Sequence, residues 1–149
     1  LLQSAELRRK LTTHIIPVGY KIYSPEFIRQ GLDAESWDAG RFDVTVVGGV
    51  TKALQLRRIA SDAELTIDIQ SWGHSRGQAV NLHVRLANER TRYFEAPMPK
   101  DVFEFGMKNG DLLEQGLVVA PKGPGLGIVV DWGKLASADF YVTSSLVFE

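Results

Sequence analysis

The chain has 149 residues, the length of one domain, and its 44% hydrophobic and 23% charged content is that of an ordinary globular protein rather than a disordered one. Seventeen Lys and Arg against eighteen Asp and Glu leave a formal charge of -1, which removes the basic field that nucleic-acid binding requires. There is no cysteine for a disulfide, a thiolate metal site or a nucleophile, and no apolar run approaches the roughly 20 residues that cross a bilayer. Without a signal-peptide layout at its start, the chain reads as cytoplasmic.

Leu1 is not a methionine, and Ser4 to Leu11 read as the end of a helix joined to a strand, so the expectation is a piece of a longer protein. His14-Ile-Ile-Pro-Val-Gly19 is a short apolar run suited to a buried parallel strand. Ser24-Pro25 opens a helix, serine as N-cap and proline at the first helical position, with Phe27, Ile28 and Leu32 as its apolar stripe and Gly31 as its end. Phe42 to Val47 is the next strand, because Val44, Val46 and Val47 are β-branched. Gly48-Gly49 permits a tight turn, and Thr51 caps a helix from Thr51 to Ala63 along Ala53, Leu54, Leu56, Ile59, Ala60 and Ala63. Leu65 to Gln70 alternates as a strand, Gln78 to Ala87 returns to helical spacing, and Arg92-Tyr-Phe-Glu95 is a last short strand.

Alternating helices and strands with short connections imply parallel strands with helical crossovers. Residues 1–97 form this strand-helix part, and residues 98–149 form a Gly and Pro-rich segment that caps it or folds as a hairpin. Periodicity alone leaves open whether the four strands make an open doubly wound sheet or half of a closed barrel. A dinucleotide site is a poor fit, since the dense glycine cluster, Gly123-Pro-Gly-Leu-Gly127, lies in the tail with no helical pattern after it.

Three segments taken in order are similar to one known family: Asp43 with Gly48-Gly49-Val-Thr51, then Gln70-Ser-Trp-Gly73, then Gly123-Pro-Gly-Leu-Gly127 followed by Val130-Asp131. They resemble the C-terminal part of the mandelate racemase and sugar-acid (galactonate-type) dehydratase branch of the enolase superfamily. The resemblance runs from His14 to Asp131. It implies an α/β fold that is the C-terminal half, the last four strands, of a (β/α)7β TIM-like barrel, plus a C-terminal capping segment. It also implies a parent protein that abstracts a proton next to the carboxylate of an acid sugar and stabilises the enediolate with Mg²⁺.

In barrels the C-terminal strand ends share one pocket. The resemblance puts Tyr20 at the place of the family's third metal carboxylate, where a phenol with a pKa near ~10 is no substitute. Asp43 matches the aspartate of a His-Asp dyad whose histidine is replaced by Gln70, and an amide moves no proton. Glu95 matches the last-strand carboxylate. Trp72, Lys21 and His74 are candidate substrate contacts. Plainer readings stand beside each: Asp43 as an acceptor for turn amides, Gln70 as a strand-end amide, Tyr20 as a core aromatic, Trp72 as packing and Lys21 as a solvated cation. Asp68 alternates onto the face of Gln70, while His14 and His83 fall at unrelated positions.

The resemblance implies an acid-sugar dehydratase parent, with the chain alone expected to be inactive and to bind little or no Mg²⁺. A non-catalytic relative with a binding or assembly role, or a racemase or cycloisomerase on the same scaffold, are the alternatives. The expected partners are a small hydroxy-carboxylate and further copies of the chain, with neither nucleic acid nor membrane.

Overall fold

The computed structural model describes residues 1–17, 24–88, 90–91, 93–109 and 112–138. Helix α1, Leu2–Lys10, buries Ala5 and sends Arg8 to Asp38 at 2.7 Å. The segment after it is extended: the Ile15 amide donates to Asp38 Oδ2 at 2.7 Å and the Ile15 carbonyl accepts the Asp38 amide at 2.8 Å. The expected strand at His14 to Gly19 has no ladder over His14 to Pro17, and the rest of it, with Tyr20 and Lys21, lies outside the described residues.

Helix α2, Pro25–Asp33, begins as its sequence dictates, with the Ser24 hydroxyl accepting the Phe27 amide at 3.2 Å and proline in the first turn. It does not end at Gly31, however. That glycine is buried where a Cβ would lie 2.2 Å from the Trp37 ring, so it serves close packing rather than termination.

Strand β1, Ala39–Phe42, pairs in parallel with β2, Thr66–Ile69, with Arg41 opposite Asp68 and Phe42 opposite Ile69. A parallel bridge joins Ile69 to Phe94, and the Glu95 amide donates to the Ile69 carbonyl at 3.1 Å. The last three of the four expected strand positions are thus parallel and adjacent in chain order, although the expected strand from Arg92 to Glu95 is reduced to this bridge, with Arg92 outside the described residues.

The strand expected at Phe42 to Val47 instead stops at Phe42. Asp43 takes over the following backbone: its carbonyl accepts the amides of Val46 and Val47 at 3.1 and 3.0 Å, and its carboxylate accepts that of Thr45. A local side-chain acceptor overrides β-branched propensity here. Gly48 and Gly49, at φ of 95° and 97°, complete a turn that L side chains disfavour. Gly49, not Thr51, is the N-cap of α3, Val50–Asp62.

Helices α3 and α4, Ser75–Leu86, pack on β2. Phe42, Val44, Val47, Ala53, Leu56, Ile67, Ile69 and Val84 belong to the apolar core between helices and sheet. At roughly 25 cal/mol per Å² of apolar surface removed from water, this layer is the main stabilising term.

The tail contains α5, Lys100–Phe103, and a hairpin of β3, Leu113–Glu114, and β4, Leu117–Val118. Gln115 and Gly116 both have positive φ, as tight hairpin turns require. A bridge between Met107 and Val130 leads to α6, Trp132–Ala136, capped by Asp131. Ser75 Oγ donates to the Phe103 carbonyl at 2.8 Å and fastens this segment to the start of α4.

Candidate functional site

Alternation along β1 and β2 puts Phe42, Ile67 and Ile69 on the helix side and Ala39, Arg41, Thr66 and Asp68 on the other. Continuing that second face past the strand ends brings in Asp43, Gln70 and Glu95. Together with Val46 and Trp72, and with Arg41, they line an open concavity of about 490 Å³.

Each lining group is held differently. Asp43 is 2% exposed, and its Oδ1 accepts from the Thr45 amide at 2.8 Å, the Thr45 hydroxyl at 2.7 Å and the Asn81 amide group at 3.0 Å. Asn81, buried on α4, also accepts the Val44 amide at 2.8 Å, so it ties helix to turn. Glu95 is taken from two sides: Arg41 Nη2 donates to Oε2 and Trp72 Nε1 to Oε1. Trp72 is more than half exposed and meets Phe103 edge-on at 6.3 Å between centroids, so it both lines the concavity and contacts the tail. Gln70 is 8% exposed and its Oε1 is buried without a hydrogen-bond partner among the described residues.

Of the residues singled out in the sequence, Asp43, Gln70, Trp72 and Glu95 therefore meet in one place. His74 does not join them. It precedes α4, and its Nε2 pairs with the Phe105 carbonyl, in the tail. Asp68 and His14 line a separate concavity with Asp38, Glu64 and Tyr93, and His83 reaches the Leu126 carbonyl at 3.3 Å. Tyr20 and Lys21 lie outside the described residues.

Arg41 and Asn81 join the site although no motif in the sequence singles them out, while Val46 falls within the strand-end stretch Asp43 to Val47. Arg41 was legible as the residue two before Asp43 on an alternating strand, and Asn81 as a polar residue on the apolar stripe of α4. A hard divalent cation needs several convergent oxygens. Among the described residues no group of three or more His, Asp or Glu is placed to hold one. The two carboxylates of the concavity are engaged by Asn81, Thr45, Arg41 and Trp72, so the residues present do not fit Mg²⁺.

Residues 1–134 match the family model of the enolase C-terminal domain-like proteins. The chain belongs to this family. It is similar to a solved protein of the mandelate racemase/muconate lactonizing enzyme type from Pseudovibrio sp., with 31% identity and a TM-score of 0.86 over 93% of this chain and 37% of that one. A mandelate racemase-type protein from Bordetella bronchiseptica RB50, solved with 2-oxoglutarate/phosphate, is 26% identical, with a TM-score of 0.84 over 93% of this chain and 38% of its own. An enolase from the alphaproteobacterium BAL199, solved with bound Mg, shares the fold at 24% identity and a TM-score of 0.74, over 89% of this chain and 34% of that one. No curated protein matches the chain.

The chain thus spans little more than a third of the solved proteins it resembles. The enolase C-terminal domain is an α/β barrel portion carrying the last strands, which resolves the choice that periodicity left open in favour of part of a barrel. No helix among the described residues is long and apolar enough to cross a membrane.

Proposed function

We propose that this chain is the C-terminal barrel portion of an acid-sugar dehydratase, a lyase that removes the proton next to a carboxylate and expels a β-hydroxide, and that the chain alone is inactive. The observation that carries this reading is the concavity at the strand ends, where Arg41, Asp43, Gln70, Trp72 and Glu95 meet on an enolase C-terminal domain. Its size suits a six-carbon acid, since small-molecule sites run from about 300 to 1,000 Å³. Membership of a family with a relative solved with 2-oxoglutarate/phosphate adds support for an anionic ligand. On this reading Mg²⁺ belongs to the whole protein rather than to these residues, and no step here runs through it.

The site lacks one part. By the family resemblance Gln70 takes the place of a titrating imidazole that would exchange a proton, and Asp43 is committed to the turn and to Asn81. That observation favours a second reading, a relative that retains the barrel for binding or assembly. The test is incubation of the full-length protein with four- to six-carbon sugar acids in D₂O. The dehydratase reading expects a 2-keto-3-deoxy acid, formed when the enol left by water loss tautomerises. Deuterium at the α-carbon without water loss would point to a racemase, and neither change with any acid would leave the binding reading.

A further inference from the structure

Arg41 is the cation among the residues lining the concavity, and its surroundings leave it incompletely used. A guanidinium has five N–H donors in a rigid fork. Among the described residues, Nη2 makes the hydrogen bond of this side chain, to Glu95 Oε2. Glu95 in turn shares its charge with the Trp72 indole, which holds Oε1 on the opposite side. The remaining donors of Arg41 are available to a second carboxylate, and paired charge-assisted bonds of that kind are the strong ones. Asp43, the other acid of the lining, is buried behind three hydrogen bonds to Oδ1.

Gln70 supplies the complementary half. It is nine-tenths buried, it lines the same concavity, and among the described residues Oε1 has no partner. A buried acceptor without a donor is costly unless a ligand or water supplies one. A carboxylate offers no proton; a hydroxyl does. The two groups therefore ask for one molecule that carries both.

We propose that Arg41 docks the carboxylate of a hydroxy-carboxylate ligand, sharing its guanidinium between that group and Glu95, while Gln70 Oε1 accepts a hydrogen bond from a hydroxyl of the same ligand. Arg41 thereby supplies the positive charge for docking, so this binding step proceeds without a divalent metal. The inference rests on the hydroxy-carboxylate reading above and names how such a ligand is held.

Isothermal titration of the full-length protein in EDTA, with four- to six-carbon sugar acids and the alditols of the same carbon number, tests it. At least one acid binds in EDTA and its alditol does not. Arg41→Gln weakens that acid about tenfold or more, and Arg41→Lys, which keeps charge but loses the fork, weakens it less. Glu95→Gln removes the competing anion and tightens binding, an outcome that a merely structural ion pair would not produce. Gln70→Leu weakens the acid as its hydroxyl loses an acceptor. Circular dichroism establishes that each variant is folded; where Arg41→Gln is not, the direction of Glu95→Gln decides. Binding that appears only with Mg²⁺, a folded Arg41→Gln equal to the parent, or weaker binding by Glu95→Gln overturns the role of Arg41. An unchanged Gln70→Leu overturns the hydroxyl contact. Metal-dependent binding with turnover would remove Arg41 docking and leave the dehydratase reading standing; metal-free binding without turnover would do the reverse. No binding under either condition overturns both.

Discussion

Asp43 and Asn81 hold each other across 38 residues: the Asn81 amide group donates to Asp43 Oδ1 at 3.0 Å while the Asn81 carbonyl oxygen accepts the Val44 amide at 2.8 Å. The turn after β1 is therefore fixed by α4 as well as by its own backbone. Replacing Asn81 with Leu strands a buried amide and takes a donor from a buried carboxylate, a loss of about 1–3 kcal/mol for each unsatisfied group. Urea unfolding is expected to place N81L at least about 2 kcal/mol below the parent chain. A midpoint equal to the parent's would show that the turn holds without α4.

Gly31 is expected to tolerate no methyl group. A Cβ there would lie 2.2, 2.3 and 2.8 Å from three carbons of the Trp37 ring, itself in the core. Overpacking of this kind costs about 1–3 kcal/mol. Gly31→Ala should lower the thermal midpoint by several degrees, and the double variant with Trp37→Leu should recover part of the loss. Alanine raises helix propensity, so a rise in the midpoint would mean that Trp37 moves freely.

Asp38 links the first helix to the sheet and makes stability depend on acid. Burial pushes its carboxyl upward, but the Ile15 amide and the Arg8 guanidinium outweigh burial and hold it below its ordinary value. A lowered folded-state value means stability that is present above the unfolded value, near ~4, and lost as pH falls through the folded one. Denaturation midpoints from pH 7 to pH 2 should therefore fall in the acid limb, and Asp38→Asn should be less stable at neutral pH while converging on the parent in acid. Parallel curves for the two chains would contradict this.

Mg²⁺ should bind the 149-residue chain weakly or not at all, since the described concavity offers two engaged carboxylates where the ion needs several free oxygens. Calorimetry reporting a tight one-to-one site would refute this and would implicate residues outside those described.

Self-association is the remaining expectation. Part of a barrel is expected to leave strand edges that a closed barrel pairs, and Trp132, Leu117, Tyr93 and Met98 are each at least two-thirds exposed. Unpaired edges and apolar patches of this sort invite a partner. Light scattering of the isolated chain should give a dimer or larger species; a stable 16.5 kDa monomer at tens of micromolar would show that the tail suffices to cover the edges.

What the sequence determined by itself lies where local chemistry decides. The Ser24-Pro25 start of α2, the helix near Thr51 to Ala63 and the strand near Leu65 to Gln70 all form within a residue or two of their patterns at one boundary or both, because caps and periodicity act over a few residues. Asp43 with Gly48-Gly49-Val-Thr51, Gln70-Ser-Trp-Gly73 and Gly123-Pro-Gly-Leu-Gly127 with Val130-Asp131, taken together and in order, also pointed to the family. Tertiary structure decided the rest. Val44 to Val47 carry strand propensity, yet they lie in a turn because Asp43 and Asn81, from a later helix, capture their amides. Gly31 reads as a helix end, yet it is a packing position because Trp37 lies against it. Arg41 has no motif of its own; it becomes a site residue because the parallel register turns it to the face of Asp43 and Gln70, within reach of a glutamate 54 residues away. Such pairings depend on which elements meet across the sheet, and the local pattern of residues carries no term for that.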